Sequence, residues 1–189
     1  LEQFRSAKRL PERFVLCLGT LEPRKNVVGV IRAFNHVKQS GAFGDLHLVI
    51  VGAPGWLYRD IFAEAERSPH AGNICFVGSV RDEERALYYS LASAFVYPSF
   101  FEGFGLPPLE AMACGTSVVA SRTSSLPEVV ADAGILVNPY DVAAIAGALS
   151  EVLSDQKLRE RLIQKGLARA QEYTWQRSAQ KTLDVLTRP

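Results

Sequence analysis

FVLCLGTLEPRKNVVGVIRAFNHV, residues 14–37, is the stretch whose reading decides the fold. Its first part, FVLCLG at 14–19, is a short apolar run closed by glycine and reads as a β-strand. Beyond the polar loop the period changes. Val27, Val30, Ile31, Phe34 and Val37 recur at helical spacing, and Asn26 stands where an N-cap is expected. A strand, a polar loop and an amphipathic helix in succession are the opening of an α/β layer structure.

The alternation continues outward from this unit. LHLVIVG (46–52), ICFVG (74–78), AFVYP (94–98), TSVVA (116–120) and GILVN (134–138) bring the expected strands to six. Helices are predicted between them at 58–67, 82–92, 107–114 and 125–131. In the last of these Ser125 and Glu128 have capping-box spacing, with Pro127 in the first turn. The tail reads as helices at 141–153, 155–171 and 175–186, with Asp141, Asp155 and Thr174 as N-caps. Strands nearly continuous in Val, Ile and Leu, joined by helical crossovers, imply a parallel sheet covered on both faces. The expectation is one doubly wound α/β domain: a linker over 1–12, an α/β core over 13–140 and C-terminal helices over 141–189.

Composition sets bounds on function. The chain has 189 residues, of which 48% are apolar and 22% charged, an ordinary globular balance. Twenty-one basic residues against twenty acidic ones give no global charge bias, so a strongly basic face for nucleic acid is not expected, while a local positive pocket stays open. Cys17, Cys75 and Cys114 share no motif spacing and read as reduced core residues, as in a cytosolic protein. His36, His47 and His70 are scattered, and no metal site is expected. No apolar run is long enough to span a membrane, and no signal peptide is expected. The chain opens at Leu1, from which a fragment of a longer protein is expected.

A six-stranded sheet of this pattern favours the order 3-2-1-4-5-6, with ligands at the carboxyl ends of strands 1 and 4, where the order reverses. Two loops flank that crevice, GTLEPRKN (19–26) and PSFFEGFGLPPLE (98–110). In the second, Gly103 and Gly105 allow close approach to bare backbone, and Pro107 and Pro108 suit the first turn of a helix. A helix start offers free N–H groups to an anion, and Arg24 and Lys25 would face it from the other wall. Two cations and a helix N-terminus suit a diphosphate. Glu102 and Glu110 would oppose that charge if aimed at it, so their natural partners are hydroxyl-rich groups on either side, a sugar and a ribose. Each feature alone has an ordinary reading as loop charge, tight turn or first-turn acid. Their joint placement in the two loops selected by topology argues for a site. The dinucleotide fingerprint, the P-loop and the acidic strand end of a receiver domain are all missing.

GTLEPRKN, EGFGLPPLE with its two glutamates, and EAMACGTSVVASRTSSLPEVVADAGILVNPYD together resemble the C-terminal domain of glycosyltransferase family 4, most of all its mannosyltransferase-like bacterial members. The resemblance runs from about residue 13 to the end of the chain. It implies one Rossmann-like half of a GT-B fold, with an N-terminal acceptor domain absent from this chain, and a retaining, metal-independent hexosyltransferase. The donor would be GDP-mannose or a UDP-sugar, and the acceptor a glycan or lipid-linked glycan in polysaccharide or lipopolysaccharide synthesis. Cytoplasmic placement, with peripheral association at the inner face of the membrane, goes with it.

Carried over to these positions, Gly19, Thr20, Arg24 and Lys25 would meet the diphosphate, Val80 and its neighbours the base, and Glu110 the ribose. Glu102 would accept from the transferred sugar's hydroxyls, and the amides of Gly103, Phe104, Gly105 and Leu106 would face sugar and phosphates. Arg24, Lys25 and Glu102 would be the catalytic set. Thr20 departs from the family, in which arginine often follows the first glycine; phosphate binding would then lean on Arg24 and Lys25. Other readings of the same residues are a stand-alone nucleotide-sugar-binding module and half of a GT-B-type nucleotide-sugar epimerase. Trp175 would be either exposed on the last helix or buried within the domain.

Overall fold

The computed structural model describes residues 1–187. The strands are β1 (Phe14–Leu18), β2 (His47–Val51), β3 (Ile74–Gly78), β4 (Ala94–Tyr97), β5 (Val118–Ser121) and β6 (Gly134–Val137). All pair in parallel, in the order β3-β2-β1-β4-β5-β6. The doubly wound α/β reading and its strand order are both correct. Between and after the strands lie α1 (Glu2–Lys8), α2 (Val27–Gln39), α3 (Arg59–Glu66), α4 (Asp82–Leu91), α5 (Leu106–Ala113), α6 (Leu126–Val130), α7 (Val142–Ser154), α8 (Gln156–Gln171) and α9 (Trp175–Leu186).

The continuous apolar strands are explained by two separate cores. Along β1, Val15 and Cys17 point into one cluster with α2 and α7, while Phe14, Leu16 and Leu18 point into another with α4, α5 and α6. β2 splits the same way, with Leu48 and Ile50 on one face and Val49 and Val51 on the other. Alternate side chains of a strand face opposite sides, so a strand covered twice must be apolar at every position. Cys17 is buried as expected, and burial pushes its thiol up to about 12, which keeps it protonated beside Lys25. Cys75 and Cys114 are only half-buried.

Four local expectations are corrected. Residues 1–12, read as a linker, carry α1, which is held against α4 by an edge-to-face contact of Phe4 with Tyr88 (5.2 Å) and by Lys8 on the buried Glu84 (2.7 Å). Asn26 precedes α2 but does not cap it: its backbone is left-handed (φ 54°), and its side-chain amide donates to the carbonyls of Pro98 and Pro139. It pins the carboxyl ends of β1, β4 and β6 together instead. The 125–128 capping box does not form, because the Ser125 hydroxyl is turned to the carbonyls of Glu102 and Phe104. Finally, α5 begins at Leu106, one residue earlier than read.

Asp141, Asp155 and Thr174 do cap α7, α8 and α9. Of the two placements for Trp175, the exposed one holds: the residue is 82% exposed, and α9 buries no side chain. Among the described residues, no helix is long and apolar enough to cross a membrane.

Candidate functional site

The crevice forms where the strand order reverses, between the loops that follow the paired strands β1 and β4. The loops are bonded to each other directly. Phe100 N–H donates to the Arg24 carbonyl (2.9 Å), and the Arg24 guanidinium donates to the Phe101 carbonyl (2.8 Å). Arg24 and Lys25 sit in a short 3-10 turn, Pro23–Lys25, whose proline fixes the start.

Both cations converge on Glu102. Its Oε2 takes Arg24 at 2.8 Å, and its Oε1 takes Lys25 Nζ at 2.7 Å and the Tyr97 hydroxyl at 2.9 Å. Lys25 also donates to the Tyr97 oxygen. Arg24 is shared with Glu22 at 2.6 Å. Two positive and two negative groups thus form one neutral network. Burial opposes ionisation of Glu102, yet hydrogen bonds led by Lys25 outweigh it and hold the carboxyl below its usual range. Burial, and then the Glu102 carboxylate, push the Tyr97 phenol far above its usual range, so it stays a donor. The sequence reading set the cations at phosphate and Glu102 at sugar. The structure brings all three into direct contact.

Beside this network lies a run of bare amides. Among the described residues, the N–H groups of Gly103, Phe104, Gly105 and Leu106 donate to no protein acceptor. Pro107 and Pro108 contribute no N–H, so within the first turn of α5 the free donor is Leu106 alone. The free amides expected at a helix start therefore lie mostly in the loop before it. Ser124 accepts the Glu102 N–H (2.9 Å), and with Ser125 it ties this loop to the start of α6. Gly105 is required twice over: its φ is +115°, and a Cβ there would stand 2.7 Å from Leu126 Cδ2 in the core.

The remaining expected residues lie around this centre. The Lys25 side chain runs past Gly19, where a Cβ would stand 3.6 Å from Lys25 Cε. Thr20 is exposed and faces Gly55 in the loop after β2. Val80 follows β3 and, partly buried, packs against the second core cluster. Glu110, on α5, is not grouped with Glu102: it pairs with Arg85 and accepts from the Tyr89 hydroxyl (2.9 Å), both on α4. Tyr97, Arg85, Tyr89 and the two serines before α6, Ser124 and Ser125, are not singled out as site residues by the sequence reading. The i, i+4 spacing of Arg85 and Tyr89 on one helix face was a usable signal.

Exposed apolar side chains crowd the same end of the sheet, with Trp56 and Leu57 after β2, Phe101, Phe104 and Leu106 after β4, and Tyr140 after β6. Among the described residues, no group of three or more His, Cys, Asp and Glu side chains is placed to hold a metal.

The chain is 40% identical over 172 residues to the O-antigen chain mannosyltransferase B of Escherichia coli, covering 91% of this chain and 45% of that protein. The solved sucrose-phosphate synthase of Thermosynechococcus elongatus superposes with a TM-score of 0.86 at 30% identity, covering 98% of this chain and 48% of the other. Anabaena Alr3699/HepE, solved with UDP and glucose, shares the fold with a TM-score of 0.87 at 20% identity, over all of this chain and 52% of its own. The chain therefore spans about half the length of each of these proteins. Residues 1–169 match the family described as glycosyl transferases group 1, and the chain belongs to that family.

Proposed function

We propose that the chain is the nucleotide-sugar-binding half of a retaining, family 4 glycosyltransferase that moves mannose from GDP-mannose to a glycan or lipid-linked acceptor in surface polysaccharide synthesis. The observation that carries this reading is the contact of Arg24 and Lys25 with Glu102, beside the free amides of Gly103–Leu106, at the switch point of the sheet. The similarity to an O-antigen mannosyltransferase supports the sugar and the pathway class. The apolar rim around the crevice supports a second domain or acceptor closing over it.

Charge gives the mechanism. Breaking a sugar–phosphate bond leaves negative charge on the departing phosphate and positive character on the sugar ring. The diphosphate competes with Glu102 for Arg24 and Lys25. Glu102, once released, accepts hydrogen bonds from the sugar's hydroxyls. Cations and fixed amides then stabilise the phosphate charge more strongly as it develops than in the bound donor, which is the condition for acceleration. Those groups supply the charge compensation that a metal gives in other transferases, so binding is expected to be metal-independent. Cytoplasmic placement and association with the inner membrane face belong to the same proposal.

Calorimetry tests it with four ligands, GDP, GDP-mannose, UDP and UDP-glucose, each in Mg²⁺ and in EDTA. The guanine pair is expected to bind more tightly, equally well in both buffers. Preference for the uridine pair would overturn the donor, a need for Mg²⁺ would overturn metal independence, and silence from all four would overturn the function.

A further inference from the structure

We infer that Arg85 and Tyr89 are positioning residues: they anchor one oxygen of Glu110 and leave the other aimed at a ribose hydroxyl, making the site selective for ribonucleotides over deoxyribonucleotides. The inference rests on the reading of Glu110 as the ribose acceptor.

The geometry is specific to one atom. Arg85 Nη2 and the Tyr89 hydroxyl both donate to Glu110 Oε2. Among the described residues, no donor reaches Oε1. A carboxylate offers acceptor sites on both oxygens, so Oε1 keeps its full capacity. With Oε2 held from two directions, the group cannot rotate freely. The rotamer freedom of a glutamate is lost during folding rather than on binding.

The two anchors are themselves fixed. Tyr89 is buried; its ring meets Phe95 edge to face at 5.2 Å, and its carbonyl accepts from the Thr116 hydroxyl at 2.7 Å. Arg85 stands one turn before it on α4, and α4 packs against α5, the helix that carries Glu110. The Arg85 charge has a second effect. An uncompensated carboxylate would repel an incoming diphosphate, and the guanidinium cancels that repulsion without using the oxygen turned to the ligand. Glu102, by contrast, is engaged on both oxygens by cations that a diphosphate would itself take up. The two glutamates are therefore set up differently: Glu110 ready to accept, Glu102 accepting only after exchange.

The test measures dissociation constants of GDP, 2′-deoxy-GDP and 3′-deoxy-GDP for the unaltered chain, Tyr89→Phe, Arg85→Met, Arg85→Lys and Glu110→Ala. Thermal unfolding of each variant confirms folding. Loss of a hydrogen bond to a charged group corresponds to about 10- to 100-fold, so the unaltered chain should reject at least one deoxy form by about that factor. Tyr89→Phe and Arg85→Met should shrink that ratio toward one, and Arg85→Lys should restore part of it. A merely structural role would weaken all three nucleotides alike and leave the ratio intact. If Glu110→Ala abolishes the ratio while Tyr89→Phe and Arg85→Met retain it, the positioning role is wrong and the ribose role of Glu110 stands. If Glu110→Ala retains the ratio, or the unaltered chain shows none, or no nucleotide binds, both are wrong.

Discussion

Glu102→Gln should bind GDP about tenfold more tightly than the unaltered chain, while its preference for GDP-mannose over GDP narrows. The expectation follows from the pairing of both cations with one carboxylate of a residue only 8% exposed. In the proposed function a diphosphate displaces that carboxylate before it can use Arg24 and Lys25. The neutral amide removes the competitor and leaves the cations poorly compensated. The free protein is thereby raised in energy, and ligand phosphate restores the balance. Fold stability should fall in the same variant, by about 1–3 kcal/mol, because a partner of partly buried charges has been withdrawn. The sugar loses a charged acceptor for a weaker neutral one. Calorimetry with both ligands and urea unfolding check all three signs. If the variant binds GDP no more tightly, the exchange between carboxylate and phosphate is wrong.

Lys25→Ala should move GDP binding the other way, weakening it about 10- to 100-fold. Lys25 is the more enclosed of the two cations: its side chain is 12% exposed against 38% for Arg24, and its Nζ is held at the Tyr97 hydroxyl, 5.0 Å from the ring centroid. A charge held in that way is screened less by solvent and salt. Glu102 keeps Arg24 and Tyr97 in the variant, so the carboxylate remains partnered and folding should survive. Opposite signs for Glu102→Gln and Lys25→Ala, measured with one ligand, are a pattern that general destabilisation does not produce. An unchanged affinity in Lys25→Ala would remove the diphosphate from this crevice.

Most of the fold was legible because it rests on periodicity. Alternation between apolar runs and helical spacing gave the six strands, and their order followed from the topology of such sheets. That order alone brought residues 19–26 beside residues 98–110, and the hydrogen bonds between Arg24 and residues 100–101 are its direct result. What failed depended on contacts distant in sequence. α1 is short and weak on local grounds, and contacts beyond the helix, Phe4 on Tyr88 and Lys8 on Glu84 among them, hold it in place. Asn26 has a capping residue's identity, but two carbonyls from the ends of β4 and β6 claim its amide.

The site shows the same division. Residue types and their loops could be read, since bare glycines, cations and glutamates in two adjoining loops carry a chemical meaning. Partners could not. Whether Lys25 faces phosphate or Glu102 is settled by side-chain reach across the crevice, and sequence spacing does not encode that. Tyr97 and Tyr89 were hidden for a related reason. In a strand or on a helix face an apolar ring explains their presence, and the hydroxyl that matters is visible only when its acceptor is in place.

Titrating an isotope-labelled chain with GDP and following its backbone amides tests the central claim most directly. The amides of Gly103, Phe104, Gly105 and Leu106, together with those of Gly19 to Asn26, are expected to shift along one binding curve. Shifts absent from both loops, or gathered at the opposite end of the sheet around Arg13 and Arg159, would contradict the placement of the donor in this crevice.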